Sequence, residues 1–87
     1  MTNTTASPAL NGQCVKVTLS GAESLSGLAD ISEGDIATCS SSSKTGTVYS
    51  VDYEGISFLV RPTTDSTRFD STSTPGVLAA SETITIS

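Results

Sequence analysis

The stretch TVYSVDYEGISFLVR, residues 47–61, decides the fold class of this 87-residue chain. Residues 47–53 are rich in β-branched and aromatic side chains, which favour a strand. Residues 56–61 alternate between apolar and polar positions, with the period of two expected for a half-buried strand. An acidic residue and a glycine join the two runs, so the stretch predicts a β-hairpin. The first run does not alternate perfectly, which indicates either a β-bulge near Val48 or burial on both faces.

Further short strands are predicted on both sides of this hairpin. Residues 13–19 alternate cleanly, and residues 35–40 place Ile36 and Thr38 on one face. Residues 77–80 and 82–86 close the chain. Several glycines between residues 20 and 35 favour one helical turn or an ordered loop over a long helix. The predicted fold class is therefore all-β, a small barrel or sandwich of five to six short antiparallel strands.

The length fits one small domain. Residues 1–12 show no periodicity and are predicted to form an extended N-terminal arm, mobile until a partner holds it. Residues 13–87 form the single β domain, with a long polar loop at 61–76 that Phe69 pins to the core. The predicted core consists of Val15, Val17, Leu19, Leu28, Ile31, Ile36, Val48, Val51, Ile56, Phe58, Val60, Phe69, Leu78, Ile84 and Ile86.

The composition excludes several classes of function. Serine and threonine supply 30 residues, hydrophobic residues make up 36%, and the net charge is −5. An acidic surface repels phosphate backbones, so no nucleic acid is expected as a partner. No apolar run approaches the length of a membrane span, and no secretion signal is visible. Without histidine, neither a Ser-His nor a His-metal site is possible, so we expect no enzyme activity, no metal and no cofactor.

The two cysteines are expected to be free thiols, as in a protein made in a reducing cytosol. Antiparallel pairing of residues 13–19 with residues 35–40, with Cys14 opposite Cys39, is the alternative. That register places both sulfurs on the non-core face, where a disulfide between directly opposed residues is strained. Two cysteines without histidine cannot close a zinc site.

The remaining polar and aromatic motifs have simple structural interpretations. Calcium needs six or more oxygen ligands in a spacing that the carboxylates lack, so all of them are expected to be solvated. These carboxylates are Glu33, Asp35, Asp65 and Asp70. Asp52 and Glu54 have the alternative of a glycosidase acid pair, but their position where a strand meets a turn favours exposure to solvent. Tyr49, Tyr53 and Phe58 form either an aromatic binding strip or part of the core.

Residues 33–60 have a recognisable order of motifs. Gly34-Asp35 opens a strand, a polar turn follows, Thr45-Gly46-Thr47-Val48 starts the next strand, and an acidic-glycine turn leads to a third. This pattern resembles the KOW motif of small SH3-like barrels. It is also similar to small β modules in the virion proteins of tailed bacteriophages. KOW modules that bind RNA carry several basic residues here, whereas Lys44 is the only one in this segment.

The phage resemblance implies a structural protein that decorates or cements a capsid. On that interpretation the protein is made in the host cytoplasm and binds the major capsid protein, or another virion protein, on the capsid exterior through its arm and an exposed sheet face. The alternative is a KOW- or SH3-like adaptor that binds a protein or nucleic acid.

The ends of the predicted sheet suggest self-association. Residues 13–19 and 82–86 are candidate edge strands with one charged residue each, Lys16 and Glu82. Poorly protected edges invite pairing with another chain. Symmetric lattices favour small oligomers around local axes, so we expect a homotrimer at three-fold positions. Loops 40–46 and 61–76 are expected to face solvent.

Overall fold

The computed structural model describes residues 1–20, 28 and 30–87. Within them, five strands form one antiparallel sheet in the order β2-β5-β4-β3-β7, and β1 pairs separately with β6. The all-β prediction is confirmed, and the sheet is not a closed barrel. The strands are β1 (Ser7–Pro8), β2 (Val15–Thr18), β3 (Ile36–Cys39), β4 (Thr45–Asp52), β5 (Ser57–Pro62), β6 (Val77–Leu78) and β7 (Ile84–Ile86).

The predicted hairpin is confirmed as β4 and β5, which pair over most of their length. The register shifts between Val48 and Ser50, so of the two alternatives the β-bulge near Val48 is the one that the structure shows. It leaves Tyr49 without a partner on β5 and explains the broken alternation. The connecting turn ends at Ile56, whose φ of 48° is unusual for a β-branched residue.

The core lies on the inner face of the sheet and under the loops. Most of the predicted core is buried, including Phe69, which is fully enclosed although its loop is polar. Val51, Ile56 and Ile86 are only half-buried against the core. Three small residues that were not predicted complete it, namely Ala9, Ala37 and Cys39.

The predicted orientation of β3 is wrong. Ile36 is 44% exposed, whereas Ala37 and Cys39 are buried. The register explains the difference, because Ile36 lies opposite Thr47, the neighbour of inward-facing Val48. Opposed residues share a face, so Ile36 must point outward with Thr47.

The N-terminal segment is extended, but it packs on the domain instead of standing free. Asn3 and Ala9 are buried, and β1 pairs with β6. Met1 and Ile84 exchange backbone hydrogen bonds of 2.8 and 2.6 Å, and Thr2 bridges Thr83. The expectation of a mobile arm is therefore corrected, since backbone groups of the same chain hold the segment in place.

The sheet has β2 and β7 as its edges, as predicted. Residues 1–4 contact both of them. They bond the backbone of residues 82–84 beside β7, and Asn3 and Thr4 bond Thr18 of β2. The edges are therefore less open than the sequence suggests.

The helical turn or loop expected between residues 20 and 35 falls largely on residues 21–27 and 29, outside the described residues. Leu28 and Ile31 are buried, and the Ile31 amide donates to the Leu28 carbonyl at 3.0 Å.

Candidate functional site

On one side of the five-stranded sheet the side chains are exposed or half-exposed, apart from buried Ser57, and we call this side the outer face. Ser50 lies opposite Leu59 on this side, and Tyr49, at the register shift, is exposed beside it. Its residues share an outward position set by alternation along each strand. They are Lys16, Thr18, Ile36, Thr38, Thr45, Thr47, Tyr49, Ser50, Asp52, Ser57, Leu59, Arg61 and Thr85.

Hydroxyl groups cover one end of the outer face. Thr38 lies between Thr85 on β7 and Thr45 on β4. Thr45 and Thr63 share a hydrogen bond of 2.8 Å between their Oγ1 atoms. Thr85, Thr38 and Thr45 thus form a row across three strands, which Thr63 extends just after β5.

Two large apolar side chains stand out on the outer face. Ile36 is 44% exposed and Tyr49 is 57% exposed. Thr47 lies opposite Ile36 and two positions before Tyr49, so the register places both on the same part of the sheet. The strip of aromatic residues predicted as one alternative is not formed, because Phe58 is buried in the core and Tyr53 lies in the hairpin turn.

A shallow cavity of about 300 Å³ lies on the same face. Lys16, Ser50, Asp52, Ser57, Phe58 and Leu59 line it. Asp52 also accepts a hydrogen bond of 3.1 Å from the Gly55 amide, so its carboxylate lies beside the hairpin turn. The cavity gives the face a concave region next to its exposed apolar residues.

One predicted surface carboxylate is buried, and that prediction is wrong. Asp70 is 1% exposed and contacts the Lys44 ammonium. Its Oδ2 accepts from the Gly76 amide at 2.7 Å and lies 3.4 Å from Arg68 Nε. Burial raises the pKa of Asp70, but these donors outweigh that effect and hold the pKa below its ordinary value of 3.8. The network joins the β3–β4 turn to the loop after β5.

Glu82 forms a second link to the β3–β4 turn. Its Oε1 accepts from the Ser41 amide at 2.9 Å and from the Cys39 thiol at 3.1 Å. Burial raises the pKa of Glu82, but the hydrogen bonds lower it below its ordinary value of 4.5. Both networks stabilise loops rather than present reactive groups to solvent.

The other predicted carboxylates are dispersed. Asp35 accepts from the Ser32 amide at 2.8 Å, and exposed Asp65 pairs with Arg61. The described residues contain no group of three or more side chains arranged to hold a metal ion. Glu33 and Glu54 are exposed, in keeping with the predicted solvation.

The cysteines are free, with Cys14 exposed and Cys39 buried. The register that pairs Cys14 with Cys39 is wrong, because β5 and β4 lie between β2 and β3 in the sheet. Cys39 faces the core and Glu82 instead of the outer face.

Sequence reasoning missed the polar residues that organise the loops. Asn3 is fully buried, and its side chain donates to the carbonyls of Leu78 and Ala79 at 3.3 and 2.9 Å. A polar residue in an apparently structureless segment carries no periodic signal, so nothing local identifies it. For Asp70, the adjacent Phe69, already predicted to be buried, was the available signal.

The chain was also compared with known proteins. No family model, curated protein or solved structure matches it. Among the described residues, no helix has both the length and the apolar character to cross a bilayer.

Proposed function

We propose that the protein is a structural protein of a tailed-bacteriophage virion, a decoration or cement protein that binds the major capsid protein lattice from outside. The observation that carries the proposal is the outer face, where Ile36 and Tyr49 are exposed among small hydroxyl side chains. Aromatic residues anchor protein interfaces, and polar surroundings are typical of an interface that also exists exposed to water.

The placement of the basic residues favours this proposal over the KOW-like alternative. Lys44, the basic residue of the resembling segment, contacts buried Asp70, as does Arg68. Neither is therefore a strong candidate for binding phosphate. Nucleic-acid binding remains a less favoured function, which the experiment below separates from capsid binding.

We also propose that the protein acts as a homotrimer at three-fold positions of the lattice. The support is the symmetry of such lattices, which presents equivalent sites around local axes. Residues 1–4 occupy part of both sheet edges, so contacts between copies are expected to involve the loops as well.

Co-sedimentation tests the function. The probe is a shell assembled from the major capsid protein of the phage that carries the gene. We expect the wild-type chain to pellet with the shell, and both Tyr49→Ser and Ile36→Thr to weaken binding about tenfold or more. Leu10→Ser is the matched control, because Leu10 is 62% exposed but lies outside the outer face.

A wild-type chain that stays in the supernatant contradicts the proposal. If it binds single-stranded RNA in the same buffer, the KOW-like alternative replaces the capsid function. Stoichiometry in the pellet tests the trimer, which predicts three copies at each three-fold position.

A further inference from the structure

We infer that the partner surface beneath the outer face carries carboxylates that pair with Lys16 and Arg61. The inference rests on the proposed function and adds the chemistry of the partner. The lattice protein would present an acidic strip next to an apolar region that contacts Ile36 and Tyr49.

The outer face differs in charge from the rest of the molecule. The whole chain has a net charge of −5. The outer face has two cations, Lys16 and Arg61, and one anion, Asp52. Asp65 in the loop after β5 pairs with Arg61, so this region has no net charge, in contrast to the acidic chain as a whole. The other exposed or half-exposed carboxylates of the described residues lie outside this region, namely Asp30, Glu33, Asp35, Glu54 and Glu82.

The two cations are neighbours on the sheet. Lys16 lies opposite Leu59, and Arg61 is two positions further along β5 on the same face. Such diagonal neighbours are about 7–8 Å apart. They occupy the β2–β5 side of the face, whereas Ile36 and Tyr49 occupy β3 and β4. The face therefore has two neighbouring cations next to an apolar zone.

Both cations are available to a partner. Lys16 has no ion pair within the described residues, although Asp52 lines the same cavity. Arg61 contacts Asp65 at 3.3 Å, but the two side chains are 54% and 89% exposed. An ion pair so exposed contributes little, so a carboxylate of the partner can replace Asp65 at small cost.

Charge complementarity selects a protein surface as the occupant. Two cations beside Asp52 and Asp65 present too little positive charge to follow a nucleic-acid backbone, which needs several phosphate contacts. Partner carboxylates at the rim of an apolar contact steer association and set orientation.

The test measures binding to the capsid-protein shell at 50 and 500 mM NaCl. At 50 mM NaCl we expect the double variant Lys16→Gln/Arg61→Gln to bind about tenfold more weakly than the wild type. At 500 mM NaCl most of this difference in affinity should disappear, because salt screens the ion pairs. Asp65→Asn should strengthen binding, because it frees Arg61. Glu33→Gln is the matched control for Asp65→Asn, because each removes one negative charge, but Glu33 is exposed in a loop outside the outer face.

Opposite changes for the Lys16/Arg61 and Asp65 variants support a specific pairing. If the double variant binds like the wild type at both salt concentrations, while Tyr49→Ser still weakens binding, the carboxylate inference fails and the proposed function stands. If Glu33→Gln strengthens binding as much as Asp65→Asn, only overall charge matters and the inference also fails. Absence of wild-type binding overturns both proposals.

Discussion

Asn3 Oδ1 accepts a hydrogen bond of 3.1 Å from the Thr18 amide, so one side chain near the N-terminus contacts the last residue of edge strand β2. The Asn3 backbone amide also donates to the Glu82 carbonyl at 2.8 Å, beside edge strand β7. Residues 1–4 therefore connect the two edge strands of the sheet, β2 and β7.

Replacing Asn3 tests this connection. Asn3→Ala removes three side-chain hydrogen bonds and leaves the Thr18 amide and two carbonyls without these partners at a buried or half-buried site. We expect the free energy of unfolding to fall by about 2–4 kcal/mol, since unsatisfied buried groups lose their solvation. Urea denaturation measures the change. Thr5→Ala is the control, because Thr5 is exposed in the same segment and should change stability by less than about 0.5 kcal/mol.

The Asp70 network predicts how stability depends on acid. The pKa of Asp70 is lower in the folded protein than its ordinary value of 3.8, so folding favours the carboxylate. Its contribution is therefore present above about pH 4 and is lost as the pH falls through the lowered pKa. The pKa of Glu82 is also lowered from its ordinary value of 4.5, so its contribution to stability is likewise lost as the pH falls below that value.

Asp70→Asn should destabilise the protein at pH 7 by about 2–3 kcal/mol, because the substitution replaces charge-assisted hydrogen bonds at a buried site with neutral ones. It should also flatten the loss of stability as the pH falls below about 4, as measured by thermal unfolding. Asp65→Asn serves as the control at an exposed ion pair. An acid profile of Asp70→Asn identical to that of the wild type speaks against this assignment.

The contact between β4 and β5 depends on the absence of a side chain at Gly46. A Cβ atom there would lie 2.5 Å from Val60 Cγ1 and 2.6 Å from the Arg61 carbonyl oxygen. Gly46→Ala should therefore destabilise the fold by about 1–3 kcal/mol, measured by denaturant unfolding.

Gly55→Ala provides the comparison for Gly46. Its nearest neighbour is the Asp52 carboxylate, the end of a flexible side chain that can move, so the cost should be smaller. Equal losses for the two variants contradict the close packing inferred at Gly46.

Ser43 offers a stabilising change. Its φ is 59° in the β3–β4 turn, where a side chain is unfavourable and glycine is not. Ser43→Gly should raise the free energy of unfolding by up to about 1 kcal/mol, because it relieves this strain at some cost in unfolded-state entropy. A lower midpoint of thermal unfolding is the contrary result.

Sequence patterns over a few neighbouring residues predicted the parts of the fold that depend on neighbouring residues. The hairpin, its bulge near Val48 and most of the core follow from alternation and turn residues. Both edge strands were also identified. The orientation of β3 was not, because Ile36 is the most apolar residue of a short strand and only the register against Thr47 turns it outward.

Contacts distant in sequence explain the remaining differences. Asn3 bonds groups up to 76 positions away, and Asp70 is paired with Lys44 across 26 positions. The sequence placed Asn3 in a mobile arm and Asp70 at the surface, because these long-range partners leave no local pattern. The exposed position of Tyr49 likewise follows from the bulge, whereas its sequence context fits burial equally well.

Hydroxyl-radical footprinting with mass spectrometry tests most directly whether the outer face binds the capsid lattice. Tyr49 and Tyr53 are 57% and 50% exposed, so each reports on its own surface with the other as an internal control. In the presence of shells of the major capsid protein, we predict that oxidation of Tyr49 falls severalfold while that of Tyr53 in the hairpin turn is unchanged. Unchanged oxidation of Tyr49 in shell-bound protein, or equal protection of both tyrosines, contradicts docking through this face.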